Sequence, residues 1–188
     1  MQFNWFGNAL DVVKNEFLRG IAGFANHLGP VFIQLHENFS PSRKQELFQF
    51  LESLPDTIQF FVEVRNPAWF GPEMIEELSA SLAKQKMGLV ITDTAGRRDC
   101  VHMHLPVAKT FIRFVGNSLH PTDFKRIEAW AKRIHYWLDN GIEEVIFIVH
   151  SGEVEASPAM TKFVVDTFNK ECGLNIPEIK MLSTPTLF

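Results

Sequence analysis

The stretch TFIRFVGNSLHPTDFKRIEAWAKRIHYWLDNGIEEVIFIVH, residues 110–150, decides the fold. TFIRFVG (110–116) is a short aromatic and β-branched run that reads as a strand. From about Pro121, Phe124, Ile127, Ala131, Ile134 and Leu138 recur at helical spacing, and Asn140-Gly141 supplies the stop. EVIFIVH (144–150) then returns as a second strand. A strand, an amphipathic helix and a strand in succession form a βαβ unit, whose two strands run parallel.

The same alternation extends toward the N-terminus. Leu10, Val13, Phe17, Ile21 and Phe24 predict a helix over 8–27, ended by Gly29-Pro30, and VFIQLH (31–36) follows as a strand. Ser40-Pro41 starts a helix bearing Leu47, Phe50, Leu51 and Leu54 on one face. QFFVEVR (59–65) is the next strand, and Gly71-Pro72 opens a helix through Met74, Ile75, Leu78 and Leu82. MGLVITD (87–93) is a further strand, followed by a connection over 94–108 with no helical pattern. Past residue 150, Ser157-Pro158 caps a helix through Phe163, Val164 and Phe168 to Gly173, leaving 174–188 as a loosely packed tail. Near-continuous apolar strands between amphipathic helices mean parallel strands covered on their faces. The class is α/β, either an open doubly wound sheet or part of a (β/α) barrel, and residues 1–188 read as one domain.

Composition narrows the function classes. Of 188 residues, 46% are apolar and 21% charged, an ordinary globular balance. Two cysteines, Cys100 and Cys172, are too few for a disulfide framework. No run approaches a membrane span and no signal peptide is legible, so the expected setting is cytoplasmic, without a membrane partner. A net charge of −4 argues against nucleic-acid binding through overall charge, leaving only a local basic patch. No G-x-G-x-x-G, P-loop, G-x-S-x-G or H-E-x-x-H motif is present.

Candidate chemistry gathers at the carboxyl ends of the strands, where parallel α/β folds place their sites. Gln34 and His36, Glu63 and Arg65, Asp93, Arg113 with Asn117, and His150 all fall there. If their faces all point inward, they converge on one mouth. The competing reading makes Glu63 with Arg113, and Asp93 with Arg65, plain buried ion pairs. Arg97 and Arg98, directly after Gly96, add guanidinium groups suited to bidentate capture of phosphate or carboxylate. Trp69 reads either as a stacking platform over the site or as a lid on the core. His36, Glu63, Asp93 and His150 make a donor set for a divalent cation that the neighbouring arginines would oppose, and no metal ligand is assigned. His102 and His104 read either as half of a metal site or, lacking a third ligand nearby in sequence, as a polar edge or loop pair, and Trp130 with Trp137 as core or helix–helix packing. Nothing marks Cys100 as a nucleophile.

These blocks resemble the YecE-like family, known as domain of unknown function 72. The resemblance rests on Leu28-Gly29-Pro30-Val31-Phe32-Ile33-Gln34-Leu35 and on Phe61-Val62-Glu63-Val64-Arg65-Asn66-Pro67-Ala68-Trp69-Phe70. It continues through Thr92-Asp93-Thr94, Phe111-Ile112-Arg113-Phe114-Val115-Gly116-Asn117 and Val149-His150, and the final Leu187-Phe188 is similar too. It implies a TIM barrel with Gln34, Glu63, Arg65, Trp69, Asp93 and Arg113 near the mouth. The chain departs at His36, where the family has proline, at Val115, where it has histidine, and at His150-Ser151, where asparagine is usual. Five strands are counted where a barrel needs eight, so the expectation is an incomplete barrel lacking three N-terminal units, completed by a missing segment or a second chain.

Three functions follow as expectations. The first is an enzyme, a hydrolase in outline, acting on a phosphorylated or phosphodiester substrate. In it Glu63 or Asp93 is the general base, and Arg65, Arg97, Arg98 and Arg113 hold the anion. The second is a non-catalytic protein that binds an anion or a nucleic-acid end. The third is an inactive fragment.

Overall fold

The computed structural model describes Val12 and residues 16–181. Five strands, β1 (Val31–Gln34), β2 (Phe60–Glu63), β3 (Gly88–Thr94), β4 (Lys109–Gly116) and β5 (Glu144–Ser151), follow one another in sheet order as in sequence. The pairs β1/β2, β2/β3 and β4/β5 are parallel. Helices α1 (Leu18–Ala22), α2 (Lys44–Glu52), α3 (Pro72–Lys84), α4 (Pro121–Asp139) and α5 (Ser157–Cys172) alternate with them. This is an α/β fold with the strand–helix order of a (β/α) barrel. The residues pack as two compact units. One runs to Val90 and includes His104–Val107; the other joins Ile91–Met103 to the chain from Ala108 onward.

In the first unit the core lies between the sheet and helices α2 and α3. Leu47 and Leu51 of α2, Leu78 and Leu82 of α3, and Val62 and Leu89 of β2 and β3 are all essentially inaccessible to solvent. The register sets Val31 beside Phe60 and Gln34 beside Glu63, and it sets Phe61 beside Gly88. Gly88 is required there, because a Cβ at that position would lie 2.2 Å from the Phe61 ring. After β2, Asn66 holds the turn: its side chain accepts from Ala68 N at 3.0 Å and donates to the Glu37 carbonyl at 2.7 Å. Pro67 then starts a 3₁₀ turn, and Pro72 occupies the first turn of α3, where its missing N–H costs nothing.

In the second unit β4 and β5 pair along their whole length, from Lys109 beside Glu144 to Gly116 beside Ser151. Their helix-side face carries Phe114 and Phe147, with Trp130 and Phe168 packed edge-on against Phe147 at 6.4 and 4.9 Å between ring centroids. Helix α4 buries Ile127, Trp130, Ala131, Ile134 and Trp137. Gly173, in the left-handed region at φ 64°, ends α5.

Several element boundaries differ from the pattern. Of the helix expected over 8–27, the described residues are helical at Val12 and from 16 through Ala22, followed by a turn and a 3₁₀ turn at Ala25–His27, with Phe17 and Phe24 exposed. Leu10 and Val13 lie outside the described residues, as does Leu187-Phe188. Ser40-Pro41 leads into a 3₁₀ turn (Pro41–Arg43) before α2 begins. Ser157 is the first residue of α5 and not its cap, because a 3₁₀ turn at Val154–Ala156 delivers the chain already in helical conformation. The start of the tail is tied down: Asn169 brackets Ile176 through both its carbonyl and its amide group, at 2.8 and 2.9 Å. Among the described residues, no helix is long and apolar enough to cross a membrane.

Candidate functional site

The geometry is clearest around Asp93, at the end of β3 in the second unit. Its side chain points toward α4, is 1% exposed, and is held by three donors. Arg126 Nη1 donates to Oδ1 at 2.7 Å, Trp130 Nε1 donates to Oδ2 at 2.7 Å, and Arg98 Nη1 pairs with Oδ1. Arg126 in turn donates through Nη2 to Asp123 Oδ1 at 2.7 Å and to the Val115 carbonyl at 3.0 Å, with its guanidinium 4.3 Å above the Phe114 ring. Asp123, fully buried, closes the network by accepting the backbone N–H of Asn117 at 2.7 Å. A buried charge survives only if paired and hydrogen-bonded, and these two carboxylates and one guanidinium satisfy that condition together.

Local sequence explains the arrangement. Gly96 at φ 81° allows a tight turn in which Arg97 N donates to the Thr94 carbonyl at 3.1 Å. That turn brings Arg98 back over Asp93. Arg97 instead grips Asp99 through two bonds of 3.0 and 2.8 Å. These bonds hold the Asp99 carboxyl below its ordinary pKa, while burial pushes the neighbouring Cys100 thiol up, away from nucleophilic character. At the other side, His120 caps α4 by accepting from Thr122 N at 3.3 Å.

Arg98, Arg126, Lys125 and Arg133 line a cavity of about 400 Å³ beside Asp93. Lys125 and Arg133 lie on the exposed surface of α4 and make no ion pair among the described residues. Arg98 is paired at one nitrogen yet 58% exposed. Arg126 Nε is buried and has no hydrogen-bond partner among the described residues. Arg126 is balanced by Asp93 and Asp123 and Arg98 by Asp93, so the excess positive charge of the cavity wall comes from Lys125 and Arg133.

The other sequence candidates fall elsewhere. In the second unit, Phe114 faces α4, so alternation along β4 puts Arg113, half-buried, on the opposite face of the strand from Asp93. His150 shares that far face, because Val115 is its register neighbour, and it is exposed. The single inward convergence of Asp93 with Arg113 is therefore replaced by two opposite faces. Asn117 contributes its backbone N–H to Asp123, and its side chain is exposed.

In the first unit, Glu63 is 1% exposed and sits on the face of β2 opposite Val62 and the α2/α3 core. Gln34, its register neighbour, is exposed, as are His36 and Arg65. His36 Nδ1 accepts from Asn38 N at 3.1 Å. Trp69 is completely buried: its indole N–H donates to the Phe39 carbonyl at 2.7 Å, and its ring stacks on Phe39. It sits as the lid on the core and offers no free face for stacking. Among the described residues, no group of three or more His, Cys, Asp or Glu side chains is placed to hold a metal ion. Asp93, one member of the cation set drawn from the sequence, is committed to arginines and an indole instead.

Sequence inspection missed Arg126, Lys125 and Arg133. They stand on a helix whose apolar positions point to the core, and charged residues between such positions ordinarily face water. The only available signal was their clustering with Thr122 and Ala129 on one stripe of α4, at intervals of three and four residues.

Parallel strands alternating with flanking helices define the class as a TIM-barrel-like α/β protein. The chain belongs to the family described as protein of unknown function DUF72, whose pattern matches residues 8–180. It is 26% identical to UPF0759 protein YecE of Escherichia coli K12, an alignment covering 90% of this chain and 67% of that protein. A solved DUF72 family protein from Enterococcus faecalis V583 superposes with a TM-score of 0.63 at 13% identity, over 89% of this chain and 68% of the other. A second, from Thermotoga maritima MSB8, gives a TM-score of 0.55 at 18% identity, over 85% of this chain and 64% of the other. These likenesses carry the fold.

Proposed function

We propose that the protein binds a small organic anion in the cavity between the β3–β4 connection and α4. The observation that carries this reading is the charge balance of the cavity wall: Arg98, Lys125, Arg126 and Arg133 against Asp93, whose oxygens are taken by Arg98, Arg126 and Trp130. Guanidinium and ammonium groups with unused donors favour phosphate or carboxylate through charge-assisted hydrogen bonds. Asp93 belongs to the scaffold in this reading, because its carboxylate is 1% exposed and is held by two guanidinium groups and an indole.

Phenyl phosphate titrated calorimetrically into the full chain tests the proposal. Binding should weaken at least tenfold in the Lys125→Gln/Arg133→Gln double variant, which leaves the Asp93 network intact. Undiminished binding in that variant, or no binding to the unaltered protein, sinks it.

A further inference from the structure

We infer that the ligand of this cavity is an amphipathic anion, a phosphate or carboxylate head carried on an apolar body, and not a free inorganic ion. This inference rests on the anion-binding reading above and narrows it. The cations make up only part of the cavity wall. Beside them, Val101 and Met103 come from the β3–β4 connection and Ala129 and Trp130 from α4, giving the wall a substantial apolar part. Trp130 has its indole N–H turned to Asp93, so what it contributes to the cavity is hydrocarbon. Met103 is 42% exposed, although a thioether side chain ordinarily gains by burial.

A site built for inorganic phosphate surrounds the ion with donors and excludes water from all sides. Here three of the four cations lie along an α4 stripe from Lys125 to Arg133 and the fourth, Arg98, comes from the β3–β4 connection, while Val101, Met103, Ala129 and Trp130 give the wall apolar carbon that no phosphate oxygen can use. The two kinds of wall suit a ligand with two kinds of surface. The volume of about 400 Å³ is within the range of small-molecule sites and far larger than one tetrahedral ion requires. A flat apolar body against Met103 and Val101, with its anionic head toward Lys125 and Arg133, uses both. Methionine is also well suited to a ligand of variable outline, since its three rotatable bonds adapt to the body presented.

Inorganic phosphate, phenyl phosphate and 1-naphthyl phosphate, titrated in turn into the full chain, read this out, with 1-naphthol as the uncharged control. Affinity should climb along the series, by at least tenfold from inorganic phosphate to the naphthyl ester. Met103→Ser should flatten that climb while leaving inorganic phosphate binding as it was. Equal affinity for the three phosphates, all lost together in the Lys125→Gln/Arg133→Gln variant, overturns the amphipathic ligand and leaves the anion site standing. Naphthol binding as tightly as its phosphate ester overturns the requirement for an anionic head. Failure of every phosphate to bind removes the anion site itself, and this inference with it.

Discussion

Asp93 and Arg126 are buried as members of one network that also takes in Arg98, Asp123 and Trp130. The carboxylate is 1% exposed and the guanidinium 13%, and charges buried that far are tolerated only with partners. Removing Asp93 leaves Arg126 only Asp123 as a carboxylate partner and strands the Trp130 indole N–H, and breaking a buried pair in this way costs up to about 3–5 kcal/mol. Asp93→Ala should therefore lower unfolding stability by that amount in guanidinium titration, with an unchanged denaturant slope. Trp130→Phe, which removes one N–H donor to a charged acceptor, should cost about 1.5–3 kcal/mol from the hydrogen bond alone. A loss below 1 kcal/mol for Asp93→Ala would show that the network does not hold the second unit together. Asp93 was legible in the sequence as an unusual residue, an acid ending an apolar strand, but its partner was not. Alternation fixes which strand residues share a face; it does not say which face looks toward a helix, and Arg126 lies thirty-three residues away on α4.

At the scale of elements, the pattern placed all five strands and the helices following them to within a few residues, because each apolar run had to be buried by a neighbour. It was weaker where the chain uses 3₁₀ turns. Ser40-Pro41 and Ser157-Pro158 carry the residue types of a cap, and the turns at Pro41–Arg43 and Val154–Ala156 absorb or precede those signals. The opening glycine of β3 carried a message that one sequence cannot decode, since glycine inside a strand marks close approach without naming what approaches. The register supplies the answer. Phe61 lies beside Gly88, with its ring 2.2 Å from where a Cβ would stand. Phe61 is wholly buried, so it has little room to yield. Gly88→Ala should destabilise by about 1–3 kcal/mol through overpacking. Gly88→Ala combined with Phe61→Leu should recover part of that loss in the same denaturation experiment, whereas a purely backbone effect would show no recovery.

Over the whole molecule, the charge of −4 and the cationic cavity act at different ranges. At physiological ionic strength the screening length is about 8 Å, so the cavity's cations are felt by a ligand that enters and little by one that lies across the surface. A nucleic acid needs a run of phosphate contacts, each releasing counterions, and 22 acidic against 18 basic side chains leave little surface to supply them. A small anion needs only the cavity. A labelled single-stranded oligonucleotide should therefore show no anisotropy change at about 150 mM salt up to roughly 100 μM protein, under conditions where 1-naphthyl phosphate binds. The small anion's affinity should fall less than about tenfold between 50 and 200 mM salt, since it carries one phosphate and not many. Micromolar oligonucleotide binding with a steep salt slope would reverse the assignment. It would mean that Arg98, Lys125 and Arg133 belong to a longer basic track, with the cavity receiving only the strand's terminal phosphate.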